Sequence, residues 1–294
     1  MKIKMRETIG ELLYKTIGLK NSIKLYYYLK FKRVPNLDNP VRFSEKIQRR
    51  KWLYNKPIYS KLADKYEVRE YVKEKVDEKI LIPIYFAKAQ ITVNDLKKLP
   101  NSFVLKTNNA SGTNIIVKDK KKENLQELVD RMNEYVKCKF WYRTFELFYK
   151  NIKPLIIAEQ YLETDDGYVP NDYKFHVFNN KNSRKIIIQA DHGRYTEKHD
   201  RAYFDEEWKM LDFNNGKTFE SIDFKFKKPK NYKKMLDIVY TLSEDFDYVR
   251  VDLYNDNGKI YFGEITFTDG SGLDPFDPDE ADYVWGEYWQ NESE

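Results

Sequence analysis

The amino-acid sequence predicts a folded α+β protein, with a helix-rich first half and a mostly antiparallel, strand-rich second half. In the first half, apolar residues recur every three or four positions, which is the period of an amphipathic helix. From residue 154 onward, short runs of β-branched and aromatic residues follow one another, which is typical of strands. Hydrophobic residues make up 41% of the chain, which is enough for a core. The 294 residues allow two lobes or one elongated body.

The individual elements follow from these two periods. The pattern predicts helices over residues 5–32, 58–76, 122–149 and 230–244. It predicts seven strands: Phe103–Thr107, Asn114–Lys118, Pro154–Leu162, Tyr173–Phe178, Arg184–Ala190, Tyr248–Tyr254 and Lys259–Phe267. A crevice between a helix-rich half and an antiparallel half is a natural site for a ligand.

Charge and cysteine content exclude several classes of protein. The single cysteine, Cys138, excludes an intrachain disulfide and a cysteine-built zinc site, and a reducing cytoplasm fits it best. No apolar stretch is long enough to span a membrane. Residues 1–35 carry nine Lys or Arg against two Glu, whereas residues 273–294 carry eight acidic residues and no basic one. A protein that binds nucleic acid through an evenly basic surface would not combine a basic N-terminal part with an acidic C-terminal part. We therefore expect no nucleic-acid partner.

The basic N-terminal helix has two interpretations. Its cations can contact an anionic membrane surface or the machinery of glycan assembly, which would place a cytoplasmic protein at the inner face of the membrane. Alternatively, the helix packs on the body of the protein and exposes a solvated basic face. The sequence leaves both interpretations open.

The C-terminal hairpin carries the strongest chemical signal. Strand alternation places Arg250 and Asp252 on one face, opposite a face of valine and leucine. A three-residue loop over 256–258 predicts Arg250 directly opposite Glu264, with Asp252 as a diagonal neighbour; a two-residue turn would put Glu264 on the apolar face. Two carboxylates on one face can share Mg²⁺, which prefers oxygen ligands. The alternative is a surface hairpin with an Arg–Glu pair.

Lys106 stands at the end of an apolar strand and precedes a polar loop, Asn108–Thr113. A lysine in this position can hold a phosphate while backbone N–H groups close over it. An ordinary hairpin turn explains the same pattern. The loop differs from the Walker sequence, which needs Gly-Lys-Ser/Thr before a helix.

Two further charged residues belong to strands. The run Pro154–Leu162 ends in Ala-Glu-Gln-Tyr-Leu, and its buried part reaches an exposed end at Glu159. This end can act as an interlobe hinge whose backbone meets an adenine edge. A core strand with a surface glutamate is the alternative. Lys174 shares a face with Asp172 and His176, as a second phosphate contact or as a solvated side chain.

Taken in order, these segments resemble the ATP-grasp superfamily, and specifically its TupA-like branch, which is associated with bacterial surface-polysaccharide and teichuronopeptide biosynthesis. The resemblance covers roughly residues 40–285. Its carriers are Arg42-Phe-Ser-Glu-Lys46, Ala63-Asp-Lys-Tyr-Glu-Val-Arg69, Phe103-Val-Leu-Lys-Thr-Asn-Asn-Ala-Ser-Gly112, Ile157-Ala-Glu-Gln-Tyr161, Asp172-Tyr-Lys-Phe-His176, Val249-Arg-Val-Asp-Leu-Tyr254 and Phe262-Gly-Glu-Ile-Thr-Phe267.

The resemblance implies an ATP-grasp fold with two α+β lobes gripping ATP. It implies a helical N-terminal extension over residues 1–60, a smaller lobe over 61–160 with the phosphate lysines and the flap, and a larger, mostly antiparallel lobe over 161–294 with the metal site. Only about 60 residues precede the first phosphate lysine, too few for a full additional α/β domain.

The resemblance also implies roles for particular residues. ATP-binding residues would be Lys65, Lys106, Thr107, Ser111, Gly112, Glu159, Gln160, Tyr161, Leu162 and Lys174. Metal ligands would be Asp252, Glu264 and Thr266, the last standing where many relatives have asparagine. Catalytic residues would be Arg250 and Lys174, and substrate would be held by Arg194, His199 and Arg201. An ion-paired loop explains the charged segment 191–201 equally well.

The activity implied is that of a carboxylate–amine ligase using ATP and Mg²⁺. A substrate carboxylate attacks the γ-phosphorus of ATP, and an amine then captures the acyl phosphate, which gives an amide, ADP and phosphate. The substrates expected are a glycan or sugar uronate and an amino acid or similar amine. An ATP-dependent sugar kinase using the same site is the alternative, and a glycan- or nucleotide-binding module without activity is a third.

Overall fold

The computed structural model describes residues 2–53, 56–164, 169–193, 199–215 and 225–290. Within these residues lie nine helices: α1 (Lys2–Phe31), α2 (Phe43–Leu53), α3 (Pro57–Ala63), α4 (Val68–Lys75), α5 (Val93–Lys97), α6 (Leu125–Tyr135), α7 (Trp141–Thr144), α8 (Tyr232–Ser243) and α9 (Glu280–Tyr288). Short 3₁₀ turns occupy Glu78–Ile80, Lys120–Lys122, Leu147–Asn151 and Asp269–Gly272. No helix in the described ranges combines the length and apolar character that crossing a membrane requires.

The same ranges contain twelve strands: β1 (Ile84–Lys88), β2 (Phe103–Thr107), β3 (Ile115–Val117), β4 (Ile156–Glu159), β5 (Asn171–Asn179), β6 (Arg184–His192), β7 (Asp200–Asp205), β8 (Met210–Leu211), β9 (Asn214–Asn215), β10 (Tyr248–Asp256), β11 (Lys259–Thr266) and β12 (Phe276–Asp277). Helices and antiparallel sheets are both extensive, so the α+β prediction is confirmed.

Three of the predicted helices are interrupted. The helix predicted over 5–32 has a break at Gly18, whose φ of 76° and ψ of 171° are not helical. The helix predicted over 58–76 breaks after Ala63, because Asp64 Oδ1 accepts hydrogen bonds from the backbone N–H of Tyr66 (2.8 Å) and Glu67 (3.3 Å), an alternative to the helical bonding pattern. The helix predicted over 122–149 ends at Tyr135 and is followed by the short α7. Phe145 closes α7 with a left-handed φ of 60°.

The chain divides into two compact units. The first comprises Met1–Ser22, Asn55–Tyr71 and Leu81–Leu162, and the second comprises Ile23–Tyr54, Val72–Ile80 and Glu163–Glu294. Each has its own sheet and core.

The first unit is built on a four-stranded antiparallel sheet with the order β1-β4-β2-β3. Helix α6 covers it with an apolar face whose buried residues are Leu128, Val129 and Met132. Asn124 starts this helix, because its side-chain oxygen accepts from the N–H groups of Gln126 (3.1 Å) and Glu127 (3.2 Å). An amphipathic helix therefore packs on the sheet, and the N-cap residue Asn124 determines where this helix begins.

The second unit is built on a six-stranded antiparallel sheet with the order β11-β10-β5-β6-β7-β8. One face carries Val249, Val251 and Leu253 of β10, and α8 packs near β10 through buried residues that include Met235. The opposite face carries an aromatic cluster at one end, formed by Phe43, Ile47, Phe178, Ile187, Tyr203, Tyr248, Phe276, Ala281, Trp285 and Trp289. The ionic residues of the sheet lie on this same face.

Candidate active site

The hairpin β10–β11 places the two predicted metal carboxylates directly opposite each other. Asp252 pairs with Glu264, and Arg250 pairs with Thr266. The predicted register, with Arg250 opposite Glu264 and Asp252 diagonal to it, is wrong. The alternative pairing of Glu264 with Val251 is not formed either.

Two local features produce the observed register. The turn has two residues, Asn257 and Gly258, both at positive φ (50° and 100°), as in a type I′ hairpin. An irregularity then follows at Gly263, which is the extra residue between the pairs Leu253–Phe262 and Asp252–Glu264. This extra residue returns Glu264 to the face of Asp252. The signal available in the sequence was the glycine inside a strand.

Arg250 joins the carboxylates of this hairpin into one buried cluster. Its Nε and Nη2 donate to Asp252 Oδ1 and Oδ2, both at 2.7 Å, and Nη2 also donates to Glu264 Oε1 at 2.7 Å. Nη1 contacts Asp269, which follows β11 and was not assigned a role from the sequence. Burial lowers the pKa of Arg250, but the carboxylates of Asp252, Asp269 and Glu264 raise it further, so the net pKa lies above the usual range and the guanidinium stays charged.

Asp252 is buried, with 3% of its surface exposed. Burial raises its pKa to about 7, against the lowering by Arg250 and Lys174. Thr266 Oγ1 lies 3.4 Å from Glu264 Oε1, so the third predicted metal ligand is beside the second. Carboxylate and hydroxyl oxygens are suitable donors for Mg²⁺, and a divalent cation would offset the desolvated charge of Asp252.

Within the described residues, no three acidic, histidine or cysteine side chains are arranged to hold a metal by themselves. The oxygen atoms of Asp252, Glu264 and Thr266 are of the kind that Mg²⁺ prefers, and Mg²⁺ completes its coordination with waters and nucleotide phosphates.

Lys174 continues the ionic face from β10 onto β5. It pairs across the strands with Asp252 and with Gln189. Its Nζ contacts Asp172, and it lies 3.2 Å from Asp191 Oδ2 and 3.8 Å from Asp252 Oδ2. The sequence placed Lys174 and Asp172 on one face, but the convergence of three carboxylates on this lysine depends on the order of the strands.

Asp191 links Lys174 to two of the residues predicted to hold substrate. It accepts from His199 Nε2 at 2.8 Å and from Arg201 Nε at 2.7 Å. The third of these residues, Arg194, lies outside the described residues. Burial raises the pKa of Asp191, but Lys174, His199 and Arg201 lower it further, and the net pKa lies well below the usual range. Asp191 is therefore the shared partner of these cations, which no pattern in the sequence indicates.

His176 shares this face but lies among aromatic rings. It is fully buried, its Nδ1 is 3.1 Å from the Tyr248 hydroxyl, and its ring packs on Trp285 with centroids 4.7 Å apart. Burial lowers its pKa to about 3, so the imidazole is neutral. His176 therefore belongs to the aromatic core.

The two predicted phosphate lysines lie in the first unit. Lys106 Nζ is 2.6 Å from Glu159 Oε2, and their side chains are 13% and 9% exposed. Lys65 Nζ donates to the carbonyl of Ala110 at 2.7 Å, inside the predicted flap.

Asn108 holds the segments of both lysines together. Its Nδ2 donates to both carboxylate oxygens of Asp64, each at 2.9 Å, and its backbone carbonyl accepts from the N–H of Lys65 at 3.4 Å. On the other side, its Oδ1 accepts from the N–H of Leu155 at 2.7 Å. The buried Asp64–Asn108 pair is a positioning element that the sequence analysis did not identify.

The predicted flap is anchored at its ends. Thr107 and Thr113 are buried and their hydroxyl oxygens lie 2.8 Å apart, and only Ser111 and Gly112 are exposed. Gly112 adopts a φ of 75°. The two residues predicted to contact ATP at the tip are therefore the accessible ones.

The predicted hinge follows β4. The N–H of Gln160 donates to the Pro83 carbonyl at 2.9 Å, which leaves this donor engaged within the protein. Tyr161 is buried, and its hydroxyl has no hydrogen-bond partner among the described residues. Leu162 is partly exposed. A buried hydroxyl without a partner is costly in the absence of a ligand, so this segment is compatible with a polar ligand such as a nucleotide.

Residues 45–290 match the family model described as TupA-like ATPgrasp. No curated protein matches the chain. Among solved structures, the L-amino acid ligase from Bacillus licheniformis is 15% identical, covering 91% of this chain and 56% of that one, with a TM-score of 0.45. The D-alanine–D-alanine ligase from Helicobacter pylori is 16% identical, covering 72% and 55%, with a TM-score of 0.41. The chain spans a little over half the length of these two structures.

Proposed function

The chain belongs to the TupA-like ATP-grasp family, and from that membership we propose that it is an ATP-dependent carboxylate–amine ligase acting through an acyl phosphate. The substrates we propose are a uronate of a bacterial surface polysaccharide and an amino acid or similar amine. The observation that carries the proposal is the buried cluster in which Arg250 bridges Asp252 and Glu264, each at 2.7 Å.

This cluster has the charges that phosphoryl transfer needs. Arg250 is held by three carboxylates, which position its guanidinium to face negative charge developing on a transferred phosphoryl group. Asp252, Glu264 and Thr266 would hold Mg²⁺, which when bound neutralises phosphate charge. A bound Mg²⁺ would replace part of the ion pairing between Arg250 and the carboxylates of Asp252 and Glu264.

The residues other than Lys174 that are predicted to contact ATP lie in the first unit. We propose that Lys65 and Lys106 bind the phosphates, with Ser111 and Gly112 closing over them, and that residues 159–162 hold the adenine. The Lys106–Glu159 pair supports this, because ATP phosphates can replace Glu159 as the partner of the ammonium group.

The acceptor would bind beside Lys174. Lys174, His199 and Arg201 surround the single carboxylate of Asp191, which gives the ionic face two partly exposed cationic groups, His199 when protonated and Arg201. Cations at this position suit a substrate carboxylate. We propose that this group orients the uronate toward Arg250.

The test is ATP turnover with uronates paired with amino acids. A ligase releases ADP and phosphate in equal amounts, only when both a carboxylate and an amine are present, and mass spectrometry finds the amide. ADP release with a phosphorylated sugar and no free phosphate would instead identify a kinase.

Two substitutions test the assignments. Lys106→Ala and Asp252→Asn should each lower turnover by roughly 100-fold or more, since the first removes a cation that would face the phosphates and the second removes a carboxylate that would hold Mg²⁺. Lys88→Ala is the matched control, because Lys88 lies in the same sheet as Lys106 but pairs on the surface with Asp95 at 2.5 Å. Circular dichroism would show that each variant remains folded. Near-normal turnover in Lys106→Ala or Asp252→Asn would refute that assignment.

A further inference from the structure

The N-terminal part of α1 exposes an apolar stripe to solvent. Met5, Ile9 and Leu12 are 57%, 47% and 61% exposed. Their spacing of four and three residues puts them within an arc of about 60° on one side of a helix with 3.6 residues per turn. Single exposed apolar residues are common, but three aligned along one helix form a continuous surface.

The opposite side of the helix already has a partner within the first unit. Gly10 is buried so closely against this partner that a Cβ atom there would lie 1.9 Å from the Tyr142 carbonyl oxygen. The Tyr14 ring meets the rings of Trp141 and Tyr142 edge-on, with centroids 5.3 and 5.8 Å away. The helix is thus fixed by one side, and the apolar stripe faces outward.

Cations flank the stripe on both sides. On the helix surface, Lys4 and Lys15 lie to one side of Met5–Leu12 and Arg6 lies to the other. Lys4 and Lys15 contact Glu134 and Glu11, yet their side chains stay 70% and 64% exposed. Ion pairs on the surface are weak, so the ammonium groups of these two lysines remain accessible to another anion.

We propose that this face, which we call the stripe face (Met5, Ile9 and Leu12 with Lys4, Arg6 and Lys15), binds the surface of an anionic lipid bilayer. An apolar stripe between cations suits the boundary between acyl chains and headgroups, where aliphatic side chains enter the hydrocarbon edge and lysine and arginine reach the lipid phosphates. The inference is independent of the proposed ligase activity.

A bilayer is favoured over a second protein chain by the size and composition of the surface. A stable protein interface needs about 800 Å² per partner and is rich in aromatic residues. The stripe face offers three side chains without an aromatic ring, and its cations predict an anionic counterpart. A lipid surface requires no matching shape.

The experiment measures sedimentation of the protein with vesicles of phosphatidylglycerol and phosphatidylcholine, compared with vesicles of phosphatidylcholine alone. We expect binding to the anionic vesicles that weakens as salt increases. The variant Met5→Gln/Ile9→Gln/Leu12→Gln should bind at least roughly tenfold more weakly. Glutamine keeps a high helix propensity, so the helix should persist. Met210→Gln is the matched control, because Met210 is 63% exposed on a strand of the other unit.

Each outcome decides the question. Equal binding to both kinds of vesicle, no binding to either, or unchanged binding by the triple variant would overturn the inference. If the triple variant instead changes the oligomeric state in analytical ultracentrifugation, the stripe face is a protein interface. ATP turnover, measured in the absence of vesicles, should not change in the triple variant, which separates this inference from the proposed function.

Discussion

At the scale of single residues, the sequence indicates which face a side chain lies on, whereas its partners depend on the fold. Strand alternation correctly placed Arg250 with Asp252 and Lys174 with Asp172. It could not predict that Asp191 would meet Lys174, because that contact requires β6 to lie beside β5. The roles of these residues in binding ATP, metal and substrate stay predictions.

Asp191 offers a test of the ionic face that does not require a substrate. Asp191→Asn should lower the free energy of unfolding by about 3 kcal/mol, since it leaves Lys174 without part of its compensating charge in a buried site. Urea denaturation measures this change. Asp237→Asn, at an exposed position of α8, is the control and should change stability by less than about 0.5 kcal/mol.

The dependence of this effect on pH follows from the lowered pKa of Asp191. A carboxylate whose pKa is lowered on folding stabilises the folded state at any pH above its pKa in the unfolded chain, which is about 4. This stabilisation is lost as the pH falls through the pKa that the group has in the folded state. The Asp191 carboxylate should therefore make the wild type more stable than Asp191→Asn, in free energy of unfolding, from neutral pH down to pH about 5. A stability difference near zero at neutral pH would contradict this account of the cluster.

At the scale of elements, strands with clean alternation were predictable and helices with polar contacts were not. Helix α2 shows why. Its buried side includes Gln48, Arg50 and Lys51, which donate to the carbonyls of Ser271, Tyr248 and other residues instead of forming an apolar stripe. A periodicity search for apolar residues cannot find such a helix, since its packing is stabilised by hydrogen bonds.

The register of the β10–β11 hairpin gives a prediction at this scale. Deleting Gly263 removes the extra residue and leaves Glu264 opposite Asp252. Inserting one alanine after Gly263, with Gly263 still the extra residue, places the alanine opposite Asp252 and Glu264 opposite Val251. The insertion should therefore lower Mg²⁺-dependent ATP turnover by roughly 100-fold or more, and the deletion should cost much less. A deletion variant that loses more activity than the insertion variant would show that the register is not what positions Glu264.

At the scale of the whole molecule, the α+β class followed from the helix and strand periods and the family from the order of the motifs, and both are confirmed. The division into an extension over 1–60 and lobes over 61–160 and 161–294 stays a prediction. The contacts of the chain group its segments differently, with residues 72–80 in the second unit. Local sequence patterns cannot predict that residues 72–80 belong to the second unit, because the residues that they contact there are distant along the chain.

The proposal on which the proposed ligase function depends is that this chain binds Mg²⁺–ATP, with Lys106 contacting the phosphates and Asp252 contacting the metal. Calorimetric titration of the wild type, Lys106→Ala and Asp252→Asn with ATP, with and without Mg²⁺, measures both roles. We expect Lys106→Ala to weaken ATP binding under both conditions, and Asp252→Asn to lose the gain in affinity that Mg²⁺ gives the wild type. An Asp252→Asn variant that keeps the full Mg²⁺-dependent gain, or a Lys106→Ala variant that binds ATP like the wild type, would overturn the assignment of that residue.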